Sequence, residues 1–201
     1  MRLTIPNQLT ILRILLTPLF VYFFVKETTI NQFIASIIYI LASLTDWYDG
    51  WYARQFGVIT RWGQFMDPLA DKFLVSSALL LFAWMGYVKW WMVWIIVSRD
   101  VIVTLVRIYA IQKGTPIVTS ATAKWKTFVQ MAVIILILIF INWLNFYGLG
   151  SYTYKAKYFD IIGISMLGVT LLTLISAILY FYENWKLIWG MLKRIVFFAS
   201  K

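Results

Sequence analysis

Runs of about twenty apolar residues constrain the fold of this chain more than any other feature of its sequence. A helix of about 20 residues crosses the hydrocarbon core of a bilayer. Six stretches reach this length, some with a polar end: 8–26, 30–54, 66–87, 90–112, 125–147 and 159–183. Charged residues make up only 13% of the chain, against roughly a quarter in soluble domains. The sequence therefore predicts an all-α integral membrane protein with six transmembrane helices, folded as one membrane-embedded domain over residues 1–201.

Two flanking segments are predicted to lie at the membrane surface. Residues 1–7 form a short N-terminal interfacial segment, and residues 185–198 form a C-terminal tail that mixes basic and aromatic side chains, as interfacial helices do. The first apolar stretch is too long for the core of a signal peptide, and no small-residue cleavage site follows it. We expect it to remain in the mature protein.

The positions of lysine and arginine predict the orientation in the membrane. Six crossings put both termini on one side, and fourteen of the 18 basic residues fall on that side or on helix ends facing it. The opposite side receives Lys26, Lys89, Lys155 and Lys157. The positive-inside rule then places both termini in the cytosol, in a multi-pass protein of the cytoplasmic membrane. Anionic lipid head groups account for the net charge of +10, and no nucleic-acid partner is expected.

The chain contains no histidine and no cysteine, which leaves carboxylates as the candidate metal ligands and general bases. Four of the eight acidic residues lie close together in the sequence: Asp46, Asp49, Asp67 and Asp71. The spacings of three and four residues place each pair on one helix face, so two neighbouring helices can direct them into one pocket. Burial and mutual repulsion disfavour four uncompensated carboxylates there. Two Mg²⁺ or Mn²⁺ ions would offset this charge, because these ions prefer oxygen ligands.

The alternative is that the aspartates pair with nearby basic side chains, namely Arg54, Arg61 and Lys72. Small residues beside the aspartates favour a ligand site, because Gly50 and Ala53 allow close approach to the helix backbone. Arg54 is suited to a pyrophosphate, which it can bind with two parallel hydrogen bonds. Residues 56–63 are predicted to reverse the chain. Asp67 and Pro68 are predicted to begin the third helix, since proline is favoured in a first turn.

The segment DWYDGWYAR at 46–54, followed by Gly63, Asp67 and Asp71, resembles the motif of the CDP-alcohol phosphatidyltransferase family. That motif is D-x-x-D-G-x-x-A-R, eight residues, G, three residues, D, three residues, D, and all eight fixed positions match. The resemblance implies a six-helix membrane protein, commonly homodimeric, with a CDP-linked donor and an active site open to the cytosol. It also implies metal ligation by Asp46, Asp49 and Asp67, with Asp71 beside the second metal as general base.

The same resemblance implies a set of residues that bind the CDP-lipid: Asn7, Thr10, Gly50, Ala53, Arg54, Thr60 and Gly63. For the acceptor, basic residues in or near membrane segments are the candidates, because an intramembrane arginine is costly and by default indicates function. Arg99 and Arg107 are two helical turns apart, and Lys124 and Lys126 begin the fifth segment. All four can converge on a phosphate of the acceptor. The alternative is that Arg99 pairs with Asp100 or reaches the interface, while the lysines only follow the positive-inside rule.

Residues 5–13, 98–100 with Arg107, and 124–127 with Gln130 are similar to bacterial phosphatidylglycerophosphate synthases, members of the same family. This similarity implies CDP-diacylglycerol as donor and glycerol 3-phosphate as acceptor. Within the family, cardiolipin synthases use phosphatidylglycerol, and other members use serine or inositol phosphate. Outside the family, a cation transporter and a lipid-binding scaffold without turnover are the alternatives.

Overall fold

The computed structural model describes residues 5–56, 61–112, 121–150, 154–185 and 188–190. The described residues contain six long helices and no strand. The helices are α1 (Ile5–Val25), α2 (Thr29–Phe56), α3 (Arg61–Trp84), α4 (Trp90–Gln112), α5 (Ala121–Phe146) and α6 (Ile161–Glu183). The all-α prediction is therefore confirmed, and each of the six predicted segments corresponds to one helix.

Two predicted boundaries are wrong. Asp67 and Pro68 do not begin α3, because the helix already starts at Arg61, and Gly63 lies in its first turn and not in a loop. Arg61, Gly63 and Gln64 interrupt the apolar pattern before Met66, so the apolar run does not extend to the start of the helix. Pro68 is accommodated inside α3 and forgoes one backbone hydrogen bond.

The second boundary is at the N-terminus. The first helix was predicted to begin at residue 8, but α1 already begins at Ile5; the surface position of residues 5–7 stays a prediction. Residues 1–4 and most of the predicted C-terminal tail lie outside the described residues.

Four helical segments within the described residues are long and apolar enough to cross a membrane: Asn7–Val25, Thr29–Tyr52, Thr122–Phe146 and Ile161–Glu183. The other two long helices, α3 and α4, are interrupted by charged residues, which lower their apolar character. These residues include Asp71 and Lys72 in α3 and Arg99, Asp100 and Arg107 in α4.

The bundle is apolar outside and carries charges inside. Large hydrophobic side chains such as Phe33, Ile139 and Ile178 are exposed, whereas Arg13 is fully buried and Lys126 is 1% exposed. Soluble proteins show the opposite arrangement, because Lys and Arg are almost never fully buried there. This distribution is the one expected of a protein whose exterior contacts lipid.

The core forms where α3 packs against α1 and α4. In addition, α2 packs against α1 and α5, and α6 packs against α4 and α5. Leu74, Ala78 and Phe82 of α3 are buried at its centre. Ring contacts between Phe20 of α1 and Tyr39 of α2 extend this core. The core therefore holds the inner faces of the helices together below the charged region.

The connections after α1, α3 and α5 meet at one end of the bundle. The backbone N–H of Ala156 donates to the carbonyl of Gly86 at 2.8 Å, and the ring centroids of Phe24 and Tyr87 are 6.4 Å apart. This end carries the four basic residues that were predicted for the side with fewer positive charges, namely Lys26, Lys89, Lys155 and Lys157. We call it the outer end, and the opposite end the inner end.

Amide side chains join α2 to α5 towards the outer end. Asn142 Nδ2 donates to Ser36 Oγ at 2.7 Å, and Asn145 Nδ2 donates to Gln32 Oε1 at 2.5 Å. In a low-dielectric interior such hydrogen bonds hold helices in register. The two helices are thus fastened at one end.

The start of α6 depends on Asp160, which caps the helix. Its Oδ1 accepts the backbone N–H of Gly163 at 2.7 Å, and its Oδ2 accepts the hydroxyl of Tyr154. Burial and the hydrogen bond to the Asp160 carboxylate raise the pKa of Tyr154 above its usual value. A Cβ on Gly163 would lie 2.2 Å from the carbonyl oxygen of Lys157. Only glycine fits this close approach.

We expect Gly163→Ala to lower the stability by about 1–3 kcal/mol, because the connection before α6 must move to admit a methyl group. Thermal unfolding in detergent is the measurement, and the expected fall in Tm is a few degrees. Gly168→Ala in the same helix is the matched control, since nothing lies within 4 Å of the added carbon. Equal effects of the two substitutions would contradict the prediction.

Candidate active site

A cavity of about 520 Å³ opens between α2, α3, α4 and α5 at the inner end of the bundle. It is lined by Ser43, Asp46, Trp47, Asp49, Gly50, Asp67, Pro68, Asp71, Lys72, Arg99, Val103, Thr104, Arg107, Ala123, Lys124, Thr127, Phe128 and Met131. All four aspartates singled out by their spacing lie on its wall. Two come from α2 and two from α3, because spacings of three and four keep each pair on one helix face.

The aspartates of α2 share one basic partner, Arg13 of α1. Its Nη2 donates to Asp49 Oδ2 at 2.5 Å, and its Nη1 lies 2.7 Å from Asp46 Oδ1. Arg13 is fully buried. The planar fork of a guanidinium suits this geometry, since it presents parallel donors to two carboxylates. Arg13 therefore offsets the charge of both aspartates and fixes α1 against α2.

The aspartates of α3 have separate partners. The Thr10 hydroxyl of α1 donates to Asp67 Oδ1. Asp71 Oδ2 lies 2.8 Å from Lys72 Nζ. Asp71 Oδ1 is buried and has no hydrogen-bond partner among the described residues. One oxygen of Asp71 is thus left open beside the cavity.

As the side chains stand, no group of three or more acidic residues in the described part of the chain is arranged to enclose a metal ion. Arg13 and Lys72 hold three of the four carboxylates in ion pairs, which explains this. The donor set nevertheless fits a hard divalent ion, since four carboxylates border one cavity and Asp71 Oδ1 is open. Of the three basic residues considered as alternative partners of the aspartates, Lys72 does form an ion pair, with Asp71. The side chains of Arg54 and Arg61 lie outside the described residues.

Three of the four basic residues predicted for the acceptor line the opposite wall of the cavity: Arg99, Arg107 and Lys124. Among the described residues, Arg99 Nε and Nη2 and Arg107 Nε are buried without hydrogen-bond partners. The cavity therefore has an acidic wall on α2 and α3 and a basic wall on α4 and α5. This arrangement suits cations on one side and a phosphate on the other.

Lys126, the fourth predicted acceptor residue, is not on the cavity wall. It is 1% exposed, and its Nζ lies 2.5 Å from Asp100 Oδ1. Arg99 Nη1 donates to the same oxygen at 3.1 Å. The pairing of Arg99 with Asp100, considered as an alternative, is thus present even though Arg99 also borders the cavity.

The residues predicted to bind the CDP-lipid are distributed unevenly. Gly50 lies on the cavity wall, and Asn7 and Thr10 are buried on α1. Gly63 is buried in the first turn of α3. The side chains of Ala53 and Arg54, and residue Thr60, lie outside the described residues.

Sequence reasoning missed the role of Arg13, which counted only as a charge on the cytosolic side. A signal for it exists, because Asn7, Thr10, Arg13 and Thr17 form a polar stripe along an apolar helix. All four are buried. Their spacing places them on the face that meets α2 and α3.

We expect Arg13→Gln to lower the free energy of unfolding by about 3–5 kcal/mol, because it leaves the buried Asp49 and the partly buried Asp46 without their counter-charge. Denaturation in detergent without divalent ions is the measurement. Arg13→Gln combined with Asp46→Asn and Asp49→Asn should recover most of the loss, since the repelling charges are removed as well. A triple variant as unstable as the single one would show that Arg13 acts through packing and not charge.

Comparisons with known proteins identify the family of the chain. The family model for CDP-alcohol phosphatidyltransferase matches residues 3–159. The CDP-diacylglycerol–glycerol-3-phosphate 3-phosphatidyltransferase of Bacillus subtilis (strain 168) is 29% identical over 194 residues, covering 90% of this chain and 95% of the relative. The enzyme of the same name from Shigella flexneri serotype 5b is 34% identical over 158 residues, 76% of this chain and 86% of the relative.

A third relative with this name, from Haemophilus influenzae, is 38% identical over 135 residues, which are 65% of this chain and 73% of the relative. The family match includes α1 to α5 and therefore every described residue of the cavity wall. The chain belongs to the CDP-alcohol phosphatidyltransferase family.

Proposed function

We propose that the protein transfers the phosphatidyl group of CDP-diacylglycerol to glycerol 3-phosphate in phospholipid biosynthesis. The products are phosphatidylglycerophosphate and CMP. One observation carries the proposal: a single cavity has four aspartates on one wall and three basic side chains on the other. The names of the relatives support both the donor and the acceptor.

The reaction forms one bond and breaks one. An oxygen of the acceptor hydroxyl attacks the phosphorus that carries the diacylglycerol, and the bond from this phosphorus to the CMP oxygen breaks. The hydroxyl proton leaves with a base on the protein. Binding both substrates in one cavity contributes to the rate, because correctly oriented reactants lose less entropy on reaching the transition state.

The four aspartates, with Asp46, Asp49 and Asp67 as principal ligands, would hold two Mg²⁺ or Mn²⁺ ions. Bound ions supply charge neutralisation to a pyrophosphate and its leaving group. Arg13 and Thr10 orient the carboxylates of Asp49 and Asp67 before any ligand arrives. In this way α1 supplies the groups that fix the acidic wall.

Asp71 is the general base. Its Oδ2 is held by Lys72, which leaves Oδ1 to accept the hydroxyl proton. A carboxylate is a weak base for an alcohol, so most of the rate must come from positioning and charge stabilisation. The ion pair with Lys72 fixes the direction of the free oxygen.

Arg99, Arg107 and Lys124 bind the phosphate of the acceptor. The unpaired Nε and Nη2 of Arg99 and Nε of Arg107 provide donors that glycerol 3-phosphate would satisfy. Donors to a phosphate form charge-assisted hydrogen bonds, which are stronger than neutral ones. Gly50 allows the CDP group to lie close to the backbone of α2, with Asn7, Ala53, Arg54, Thr60 and Gly63 completing the donor site by family resemblance.

The membrane arrangement follows from the same distribution of charge. We assign all six helices as transmembrane, since the exposed side chains of α3 and α4 include Phe73, Trp94 and Leu105, whereas their charges face inward. The positive-inside rule puts the inner end, with the cavity, in the cytosol. Glycerol 3-phosphate would then enter from the cytosol and the donor from the bilayer. A homodimer follows from the family resemblance alone.

The purified protein in detergent, given CDP-diacylglycerol and Mg²⁺ or Mn²⁺, should release CMP with glycerol 3-phosphate. Serine, inositol phosphate and phosphatidylglycerol complete the panel of labelled acceptors, because they represent the other activities of the family. CMP release with one of these and not with glycerol 3-phosphate would reassign the acceptor. Activity unchanged by chelation of divalent ions would contradict the metal site.

Asp71→Asn should abolish CMP release, at least a thousandfold, while the Kd for CDP-diacylglycerol changes less than about threefold. The amide keeps the shape of the side chain but cannot take the proton. Turnover and donor binding are measured on the same preparation. Glu183→Gln, an exposed acid at the end of α6, is the matched control with unchanged turnover. Near-normal CMP release by Asp71→Asn would overturn the base assignment.

A further inference from the structure

Asp100 of α4 is the most deeply buried acid near the cavity, at 1% exposure. Its Oδ1 accepts from Lys126 Nζ at 2.5 Å and from Arg99 Nη1 at 3.1 Å. Lys72 of α3 also faces it at electrostatic range. One carboxylate therefore lies among three cations from three helices, and it is itself not on the cavity wall.

Lys126 reaches Asp100 across the space between two helices. α4 packs chiefly against α3 and α6, and α5 packs chiefly against α2 and α6. The ion pair between Asp100 and Lys126 thus joins the two helices that carry the basic wall. Both side chains are 1% exposed, so the pair is formed away from water. Removing one partner of such a pair leaves a buried, uncompensated charge.

Arg99 connects this pair to the cavity. Its Nη1 is bound to Asp100, whereas its Nε and Nη2 are buried without hydrogen-bond partners among the described residues. Arg99 itself borders the cavity. A guanidinium presents its donors in a fixed plane, so holding one nitrogen sets the direction of the others.

We propose that Asp100 is a positioning residue of the acceptor site, which holds Arg99 in the orientation that binds the acceptor phosphate, and that Lys126 is its charge partner. This inference rests on the proposed function. It gives Lys126 a different role from Arg99, Arg107 and Lys124. Those three contact the acceptor phosphate directly, whereas Lys126 acts on it only through Asp100. Because the ion pair between Asp100 and Lys126 joins α4 to α5, the distance between these two helices then also affects how tightly a phosphorylated acceptor binds.

A double-mutant cycle tests this role. The proteins are the wild type, Asp100→Asn, Lys126→Met and the double variant. The measurements are the KM for glycerol 3-phosphate at saturating CDP-diacylglycerol, the KM for CDP-diacylglycerol, and the Tm. Coupled residues give non-additive effects, and the cycle measures their coupling directly.

Asp100→Asn should raise the acceptor KM at least tenfold and change the donor KM less than twofold. The double variant should regain part of the Tm lost by Asp100→Asn, because Lys126, the more deeply buried of the two cations bound to Asp100, no longer stays unpaired. Its acceptor KM should equal that of Asp100→Asn. Lys126→Arg, which keeps the charge, should stay within threefold of the wild type in acceptor KM.

Either of two results would overturn the proposal. The first is an acceptor KM in Asp100→Asn and in the double variant within twofold of the wild type. The second is an acceptor KM in the double variant a further tenfold above that of Asp100→Asn, which would mean that Lys126 contacts the phosphate itself. The double variant leaves one buried cation fewer without its partner than Asp100→Asn does, so it keeps the test valid if that single variant does not fold.

Asp160→Ala is the matched structural control. It removes a carboxylate that caps α6 at the outer end, so the Tm should fall while the acceptor KM is unchanged. An equal rise of the acceptor KM in Asp160→Ala would assign the effect to general destabilisation and overturn the inference. If the wild type releases no CMP with glycerol 3-phosphate, the proposed function itself fails, whereas normal wild-type turnover with an unaffected Asp100→Asn removes only the positioning role.

Discussion

A charged side chain inside a bundle of apolar helices needs an opposite charge or a set of hydrogen bonds, because no water offsets the loss of its hydration. This constraint governs the inner end of the molecule. Arg13 meets Asp46 and Asp49, Lys72 meets Asp71, and Asp100 meets Arg99 and Lys126. The pairings of Arg13 and of Lys126 join different helices, whereas those between sequence neighbours orient side chains on a single helix. Charges that border the cavity therefore also help to hold the helices in place.

The two walls of the cavity differ in how fully their charges are offset. On the acidic wall, only one oxygen of Asp71 is left unpaired among the buried carboxylate atoms of the described residues. On the basic wall, three nitrogens of Arg99 and Arg107 have no hydrogen-bond partner in the described part of the chain. A buried donor without a hydrogen-bond partner costs free energy until a ligand accepts its hydrogen bond. Binding of an anion at the basic wall is therefore favoured. For the same reason, the cavity should bind a phosphorylated acceptor more tightly than a neutral one.

Much of the fold and the position of the acidic wall could be predicted from the sequence. Apolar run length identified all six helices, and the spacing of Asp46, Asp49, Asp67 and Asp71 placed four carboxylates on adjacent helix faces. These features depend on short-range periodicity, which a sequence displays directly. The start of α3 at Arg61 was missed because Arg61, Gly63 and Gln64 interrupt that periodicity in its first residues.

The partners of the charges could not be predicted, because they depend on the packing of distant helices. Arg13 meets Asp49 across 36 positions of the chain, and Lys126 meets Asp100 across 26. Nothing local distinguishes Lys124, which lines the cavity, from Lys126, which lies behind it. Two residues of separation on a helix turn a side chain to a different face, and only the packing decides which face meets the cavity.

The stripe of polar residues on α1 has a consequence for biosynthesis. An arginine at the centre of a single inserted helix costs about 2.5–3.5 kcal/mol on insertion scales. Arg13 finds its partners in α2, the very next helix to be made, so this cost lasts only until the first helical hairpin is complete. Asp100 likewise meets Lys126 in the helix that follows its own. The order of the helices in the chain thus lets Arg13 and Asp100 each be neutralised by the helix that next leaves the ribosome.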